Sequence, residues 1–300
     1  MDVLTIILIV AGLSLFEIIN SVDNAIINAE VLSTMQKKSR RWFLIVGIFF
    51  AVFVVRGLLP WLILWISSSS IGPWDAFTSI FSNDSVAINS IKDTSHVLLA
   101  GAGTFLFLLF LHWAFLESGA PSQKRRFDGI STSVFHLSSF LFIGAMVYFS
   151  MLTSDAMAFS VLVGSFVFYV IIEIRKRTEM HGRAVSKRLS DSGKITYLEI
   201  VDAIFSIEGI AGAFAFTFSI PLILVGNGLG ALVVRHLTVK NMKLIPKIRS
   251  LKSHAMYSIF LVAVIMLLDS FGFEIHPWVA PIAIFSVVGY FFFISEKEIK

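Results

Sequence analysis

The 300-residue chain contains no cysteine, which excludes disulfides, thiolate metal sites and thiol chemistry. Charge is scarce as well. Only 15% of residues are Asp, Glu, Lys or Arg against 56% hydrophobic ones, and long stretches carry no charge at all. Soluble domains carry about 25% charged residues, so this composition reads as a polytopic membrane protein. The net charge of +4 is small and sits in loops, which speaks for topology and not for nucleic-acid binding. The N-terminus lacks a basic region and its apolar run carries acids, so that run is expected to be a retained first helix and not a signal peptide.

Nine hydrophobic segments follow one another, at about 3–32, 42–66, 96–116, 131–151, 155–174, 195–217, 219–238, 254–271 and 277–295. Their loops alternate in charge. Basic loops hold Lys37, Lys38, Arg40 and Arg41, then Lys124, Arg125 and Arg126, then seven Lys or Arg from Arg175 to Lys194, then five from Lys240 to Lys252. The alternate loops are nearly bare, with Lys92 the only Lys or Arg among Ser67 to Ser95, Thr153 to Asp155, and Ser270 to His276. The positive-inside bias places the N-terminus outside and the C-terminus in the cytoplasm, in a plasma membrane of bacterial type. The expectation is an all-helical, single transmembrane domain over residues 1–300. The basic stretch from Arg175 is read as a topology signal touching anionic lipid headgroups. The stretch from Ser67 to Ser95 is read as an interfacial element.

The polar exceptions concentrate. Phe16 to Ala29 reads F-E-I-I-N-S-V-D-N-A-I-I-N-A, placing Glu17, Asp23, Asn20, Asn24 and Asn28 where hydrocarbon is expected. An ionised side chain at a bilayer centre costs at least about 2.5 kcal/mol, so such residues line cavities or carry function. A second copy runs from Asp202 to Gly209. Laid on the first, Asp202 falls on Glu17, Ser206 on Ser21 and Glu208 on Asp23. Downstream of each copy, Ala51 to Arg56 answers Gly230 to Arg235, with Gly47 and Gly226 each placed nine residues before the arginine. The copies fall on spans one and six, five apart, so the repeat, within 3–66 and 195–238, is expected to be inverted. That architecture recurs in secondary transporters.

At 100 degrees per residue, Glu17, Ser21, Asn24 and Asn28 share a narrow stripe while Asp23 points about 120 degrees from Glu17. Either each helix distorts near the second acid, which is the reading favoured here, or that acid faces a different partner. Oxygen donors of this kind suit Mn2+, Ca2+ or Mg2+, whereas zinc or copper would call for His or Cys. Glu17, Asp23, Asp202 and Glu208 around one divalent ion would carry excess negative charge. Closely placed carboxylates cannot all ionise, so exchange of the cation for protons follows. Glu199, one turn before Asp202, is a further member or a relay. Asn227 either contributes an oxygen or makes an interhelical hydrogen bond among close-packing glycines.

The F-E-x-x-x-S-x-D-N-A stretch, the later L-E-x-x-D-x-x-F-S-x-E and the V-V-R ends resemble the TerC family of the LysE-type transporter superfamily. The resemblance implies a cation exporter working on Mn2+, with Glu17, Asp23, Asn24, Glu199, Asp202 and Glu208 as ligands or proton carriers; Ser21, Asn28, Ser206 and Asn227 are read from the sequence itself as accessory positions or proton relays. No permanently bound cofactor is implied. One departure stands out: Glu208-Gly209 occupies a position where that family shows Asp-Ser. A structural lock between helices, or pairing of Glu17 and Asp202 with Arg56 and Arg235, is the alternative, although topology sends both arginines toward membrane edges within snorkelling reach. His96, His112 and His136 repeat nothing and are read as interfacial or packing residues. No Tyr-Asp, Gly-x-Gly-Asp, Ser-His or zinc-protease motif accompanies the acids, so an enzyme is not expected. A Ca2+/proton exchanger, an organic-solute carrier and a non-transporting membrane partner remain as alternatives.

Overall fold

A computed structural model describes residues 2–67, 72–74, 85–117, 121–240 and 251–298. Among them there are helices and no strands. In chain order they are α1 (Val3–Asn20), α2 (Val22–Ser33), α3 (Lys37–Phe49), α4 (Leu59–Ser67), α5 (Ser85–His112), α6 (Pro121–Met151), α7 (Asp155–Arg188), α8 (Asp191–Ala213), α9 (Ile220–Lys240), α10 (Leu251–Ser270) and α11 (Val279–Glu298). Two π-helical stretches, Phe50–Leu58 and Trp113–Glu117, extend α3 and α5.

Six of the helical segments are long and apolar enough to cross a membrane: Val3–Asn20, Lys37–Ile63, Thr94–Glu117, Ser131–Met151, Asp155–Thr178 and Ile220–Lys240. The protein is therefore an all-helical membrane protein. Of the nine segments read from the sequence, three fall short of that standard for separate reasons. Helix α8 carries Lys194, Glu199, Asp202 and Glu208. Of α10 and α11, the fully described apolar stretches Ala255–Ser270 and Val279–Tyr290 cover only part of each 20-residue helix. Of the predicted interfacial stretch 67–95, residues 68–71 and 75–84 lie outside the described residues, as does the basic loop 241–250, while 85–95 open α5.

Local chemistry sets the helix ends near the centre. The Asp2 side chain caps α1 by accepting from the Thr5 N–H at 3.1 Å, and Ser190 caps α8 through the Gly193 N–H at 3.3 Å. At the far end of α2 the Lys194 ammonium donates to Thr34 Oγ1 at 3.0 Å, a cation placed where helix carbonyls are unpaired. Asp191 accepts from the Gln36 N–H at 3.1 Å, which ties the start of α8 to the α2–α3 turn. The Ser39 hydroxyl and this N–H hold the Asp191 carboxyl below the usual carboxylate range.

Helix α1 packs along α9, and α5 lies between α7 and α10. The main core joins these layers: Ile9, Leu13 and Phe16 of α1 meet Phe216, Ile223, Val262 and Ile284, with the Phe16 and Phe216 rings 5.7 Å apart. A second cluster of Val31, Leu32, Met35, Phe43 and Leu198 closes the opposite end of α2. Outward faces stay apolar, with Ile45, Phe49, Phe140, Phe159 and Phe166 exposed, as expected of helices facing lipid tails.

Where α5 crosses α7, Gly101 and Gly164 bring the two backbones into contact, and a Cβ at Gly164 would run into the Gly101 carbonyl. Backbone cannot move aside as a side-chain tip can, so overpacking there is costly. Gly164→Leu is expected to destabilise the protein by more than about 2 kcal/mol, read as a lower unfolding temperature in detergent. An unchanged temperature would contradict the crossing.

Candidate functional site: a buried carboxylate–arginine cluster

The stripe read from the sequence does face inward. Glu17, Ser21, Asn24 and Asn28 are 2%, 8%, 3% and 2% exposed, while Asp23 is half-buried. Helix α1 gives way to α2 at Ser21, whose φ and ψ are −82° and 8°. The interruption is small. The Ser21 N–H still reaches Glu17 O at 3.0 Å and the Ala25 N–H still reaches Ser21 O at 2.9 Å. The expected break in the second copy does not occur, since α8 runs unbroken from Asp191 to Ala213. Its glycines serve close approach instead: a Cβ at Gly212 would lie 2.5 Å from Phe16, and one at Gly209 would lie 2.6 Å from Glu17 Oε2.

The acids do not converge on one point; they form two abutting groups. In the first, Glu17 is in ion-pair contact with Arg56 and accepts from Ser21 Oγ at 2.7 Å. Arg56 also reaches Asp202, 3.5 Å away. Asp202 accepts from Arg235 Nη2 at 3.1 Å and from the Asn24 amide. Arg235 in turn donates both Nη atoms to Glu199, each at 2.9 Å, the fork-to-fork geometry that favours arginine over lysine. Its guanidinium lies 4.6 Å over the Phe43 ring.

In the second group, Glu208 is in ion-pair contact with Arg175, which lies 4.2 Å over the Phe205 ring. The Asn20 amide, oriented by its surroundings, donates to Glu208 Oε2 at 3.0 Å and accepts from the Gly209 N–H at 3.0 Å. Asp23, Asn20, Arg175 and Glu208 line one small cavity. Glu208, the second acid of its motif, therefore faces a different partner from Asp202, as their angular separation on the helix allows, and Asp23 lines the same small cavity. Gly209 lies at the boundary, next to both Glu17 and Asn20.

Two readings of the arginines are corrected. Arg56 and Arg235 are 1% and 3% exposed, so neither snorkels to a membrane edge. The π-helical stretch around Arg56 helps to turn it inward, with its Nη1 donating to Ala51 O at 3.0 Å. Space for Arg235 comes from Gly47, where a Cβ would strike both its guanidinium and Glu199. Arg175, read from the sequence as the start of a solvated basic loop, is 8% exposed and belongs to the cluster. A sequence signal for Arg56 and Arg235 existed in their matching repeat positions. For Arg175 there was none, because a basic run follows it directly.

Asn227 donates weakly to Gly209 O at 3.5 Å, bridging α9 and α8 as an interhelical hydrogen bond. The oxygens Asn24 Oδ1, Asn28 Oδ1, Asn227 Oδ1 and Ser206 Oγ are buried without a protein hydrogen-bond partner. Among the described residues no three His, Asp or Glu side chains are arranged to hold a metal ion, since each buried acid faces an arginine. His112, expected to be a packing residue, lies 3.2 Å from Glu117 across the π turn and lines a cavity with it.

Long apolar helices surrounding a buried network of carboxylates, amides and arginines define a polytopic membrane protein with a polar centre. More particularly, the chain belongs to the DUF475 family, described as proteins of unknown function, whose profile matches residues 22–298. No curated protein and no solved structure matches it.

Removing one member of such a network strands a buried charge and costs about 3–5 kcal/mol. Arg235→Gln should lower thermal stability by that order, and Glu199→Gln added to it should restore part of the loss by removing the stranded acid. A double variant no more stable than the single one would show that the pair is not coupled.

Proposed function

We propose that the protein is a secondary transporter that exports a divalent metal cation in exchange for protons, with Mn2+ the first candidate and Ca2+ the second. The observation that carries this reading is the burial of Glu17, Asp202 and Glu208 from two matching motifs, beside amide and hydroxyl oxygens that no protein donor satisfies. Buried polar atoms without partners call for water or an ion, and hard oxygen donors suit Mn2+, Ca2+ and Mg2+. Stability alone does not account for the cluster, because a buried ion pair replaced by apolar residues is often neutral or stabilising by about 1–4 kcal/mol. The resemblance of the motifs to the TerC family supports the same substrate class.

An inverted repeat is part of the proposal, and the contacts are reciprocal in the way such a repeat requires. Glu17 with Arg56 answers Asp202 with Arg235. Ser14 Oγ donates to Gly226 O at 2.9 Å, and its counterpart Glu199 lies against Gly47, the counterpart of Gly226. Asn24 on Asp202 answers Gly209 beside Glu17. The symmetry gives way where Glu199 stands at the position of Ser14 and captures Arg235, and where Arg56 reaches across to the acid of the other copy, Asp202. Two oppositely oriented halves meeting at a central site can expose it alternately to either side. The nine-span arrangement, with the N-terminus outside and the C-terminus in the cytoplasm, is the one the loop charges favour, and a plasma membrane of bacterial type is part of the proposal.

In this scheme the arginines balance the carboxylates when no substrate is bound, and a divalent cation or protons would take their place. A second reading rests on a specific observation as well. Arg56, Arg175 and Arg235 supply the carboxylate-binding cations that an amino-acid carrier would require and that the acidic motifs by themselves lack.

Proteoliposomes with an internal pH dye separate the two. Purified protein should move Mn2+ with opposed proton movement, more weakly Ca2+, and not Zn2+. Asp23→Asn and Glu208→Gln should fold and reach the membrane yet lose at least about tenfold of the flux, the size of a lost 1.4 kcal/mol. Amino-acid flux without cation flux would favour the second reading. Folded protein moving neither would sink transport and leave a structural partner role.

A further inference from the structure

Arg175 differs from the other two arginines of the cluster. Arg56 and Arg235 lie in the repeated segments, whereas Arg175 lies on α7, outside the repeat, and meets the buried acid Glu208. The residues that follow it behave as the sequence suggested: Lys176 is exposed, and Arg177 pairs with the exposed Glu173 one turn back at 2.7 Å.

Its position between two cavities is the second observation. A partly enclosed cavity of about 160 Å³ is lined by Asp23, His112, Glu117, Arg175, Lys176 and Phe205, among others. A cavity of about 10 Å³, room for one water, lies among Ile19, Asn20, Asp23, Arg175 and Glu208. Asp23, Arg175, Phe205 and Met256 are walls of both, and Glu208 borders only the smaller one. The guanidinium thus stands between the larger space and the Glu208 carboxylate, resting on the Phe205 face at 4.2 Å. It offers Glu208 the positive charge that a bound cation would otherwise supply.

We infer that Arg175 is a tethered surrogate cation that plugs the Glu208 site, and that the larger cavity is the vestibule into which it withdraws when a divalent cation loads. The inference rests on the cation-transport reading for the identity of the ligand, but the plug itself does not. Withdrawal keeps the guanidinium beside carboxylates, because Asp23 and Glu117 both line the vestibule against the one ammonium of Lys176. One positive charge leaves Glu208 as two arrive, so the pair exchanges partners without leaving the carboxylate unpaired.

Two readouts on the cysteine-free chain test this. The first needs no cation: Ile19→Cys places a thiol in the small cavity behind Arg175, and its modification by a small cationic methanethiosulfonate reagent is timed. Arg175→Gln should speed labelling at least about tenfold, and equal rates would overturn the plug. The second is Mn2+ binding to purified protein. Arg175→Gln should bind at least about tenfold tighter than the wild type, whereas binding weakened as much as by Glu208→Gln would mean that Arg175 positions the carboxylate instead of competing for it. Arg175→Lys, which keeps the charge as a point ammonium and serves if the glutamine variant does not fold, should fall between wild type and Arg175→Gln in labelling. Labelling of the lysine variant no faster than wild type would contradict the account. Wild type that binds no Mn2+ while Arg175→Gln speeds labelling would remove the cation and leave the plug.

Discussion

Arg56 sits between two carboxylates that are far apart in the chain, Glu17 and Asp202, and this shared charge is the constraint on which the centre depends. Taking one carboxylate out of water costs several kcal/mol even after relaxation, and only close partners with good geometry repay it. Each neighbouring feature follows from that requirement. Arg235 takes the other side of Asp202 and forks onto Glu199, Asn24 donates to Asp202, and Ser21 donates to Glu17. The first and second motif copies are thereby held face to face across α1, α2 and α8.

The helices must come unusually close for these short polar groups to meet, and small residues provide the space. Gly209 and Gly230 lie against Glu17, Gly47 lies against Glu199 and Arg235, and Gly226 lies against Leu13. Packing of small residues lets membrane helices approach without a hydrophobic drive between them. Here it also leaves room for guanidinium groups. The departure at Gly209 acquires a physical meaning in this setting: a serine there would bring its Cβ 2.6 Å from Glu17 Oε2. The longer Glu208 side chain next to it turns toward Arg175 instead.

Much of the centre was legible because rare residues in an apolar chain stand out. Glu17, Asn24, Asn28, Asp202 and Glu208 were found by their mismatch with hydrocarbon, and the buried stripe followed from helix geometry alone. The arginines were misjudged for a reason that is also physical. Hydropathy places Arg235 near the end of its apolar run and Arg56 in the outer half of its own, and both side chains are long enough to snorkel. Which way a long side chain turns depends on the acids contributed by other helices and on local backbone such as the π-helical stretch Phe50–Leu58. Likewise the distortion expected near Glu208 does not occur, and the missing side chains of Gly209 and Gly212 serve contact with Glu17 and Phe16 instead. Arg175 was hidden inside a basic run that the topology rule explains without it.

The account's central claim is that this balanced network yields its carboxylates to a hard divalent cation. Titration of the purified wild-type protein with Mn2+, followed by electron paramagnetic resonance of the free ion, tests it directly. The account predicts loss of the free-ion signal up to saturation at one site per chain, with protons released and Ca2+ able to compete. A free-ion signal that rises in proportion to added Mn2+ from the first addition, in protein shown to be folded, would contradict it.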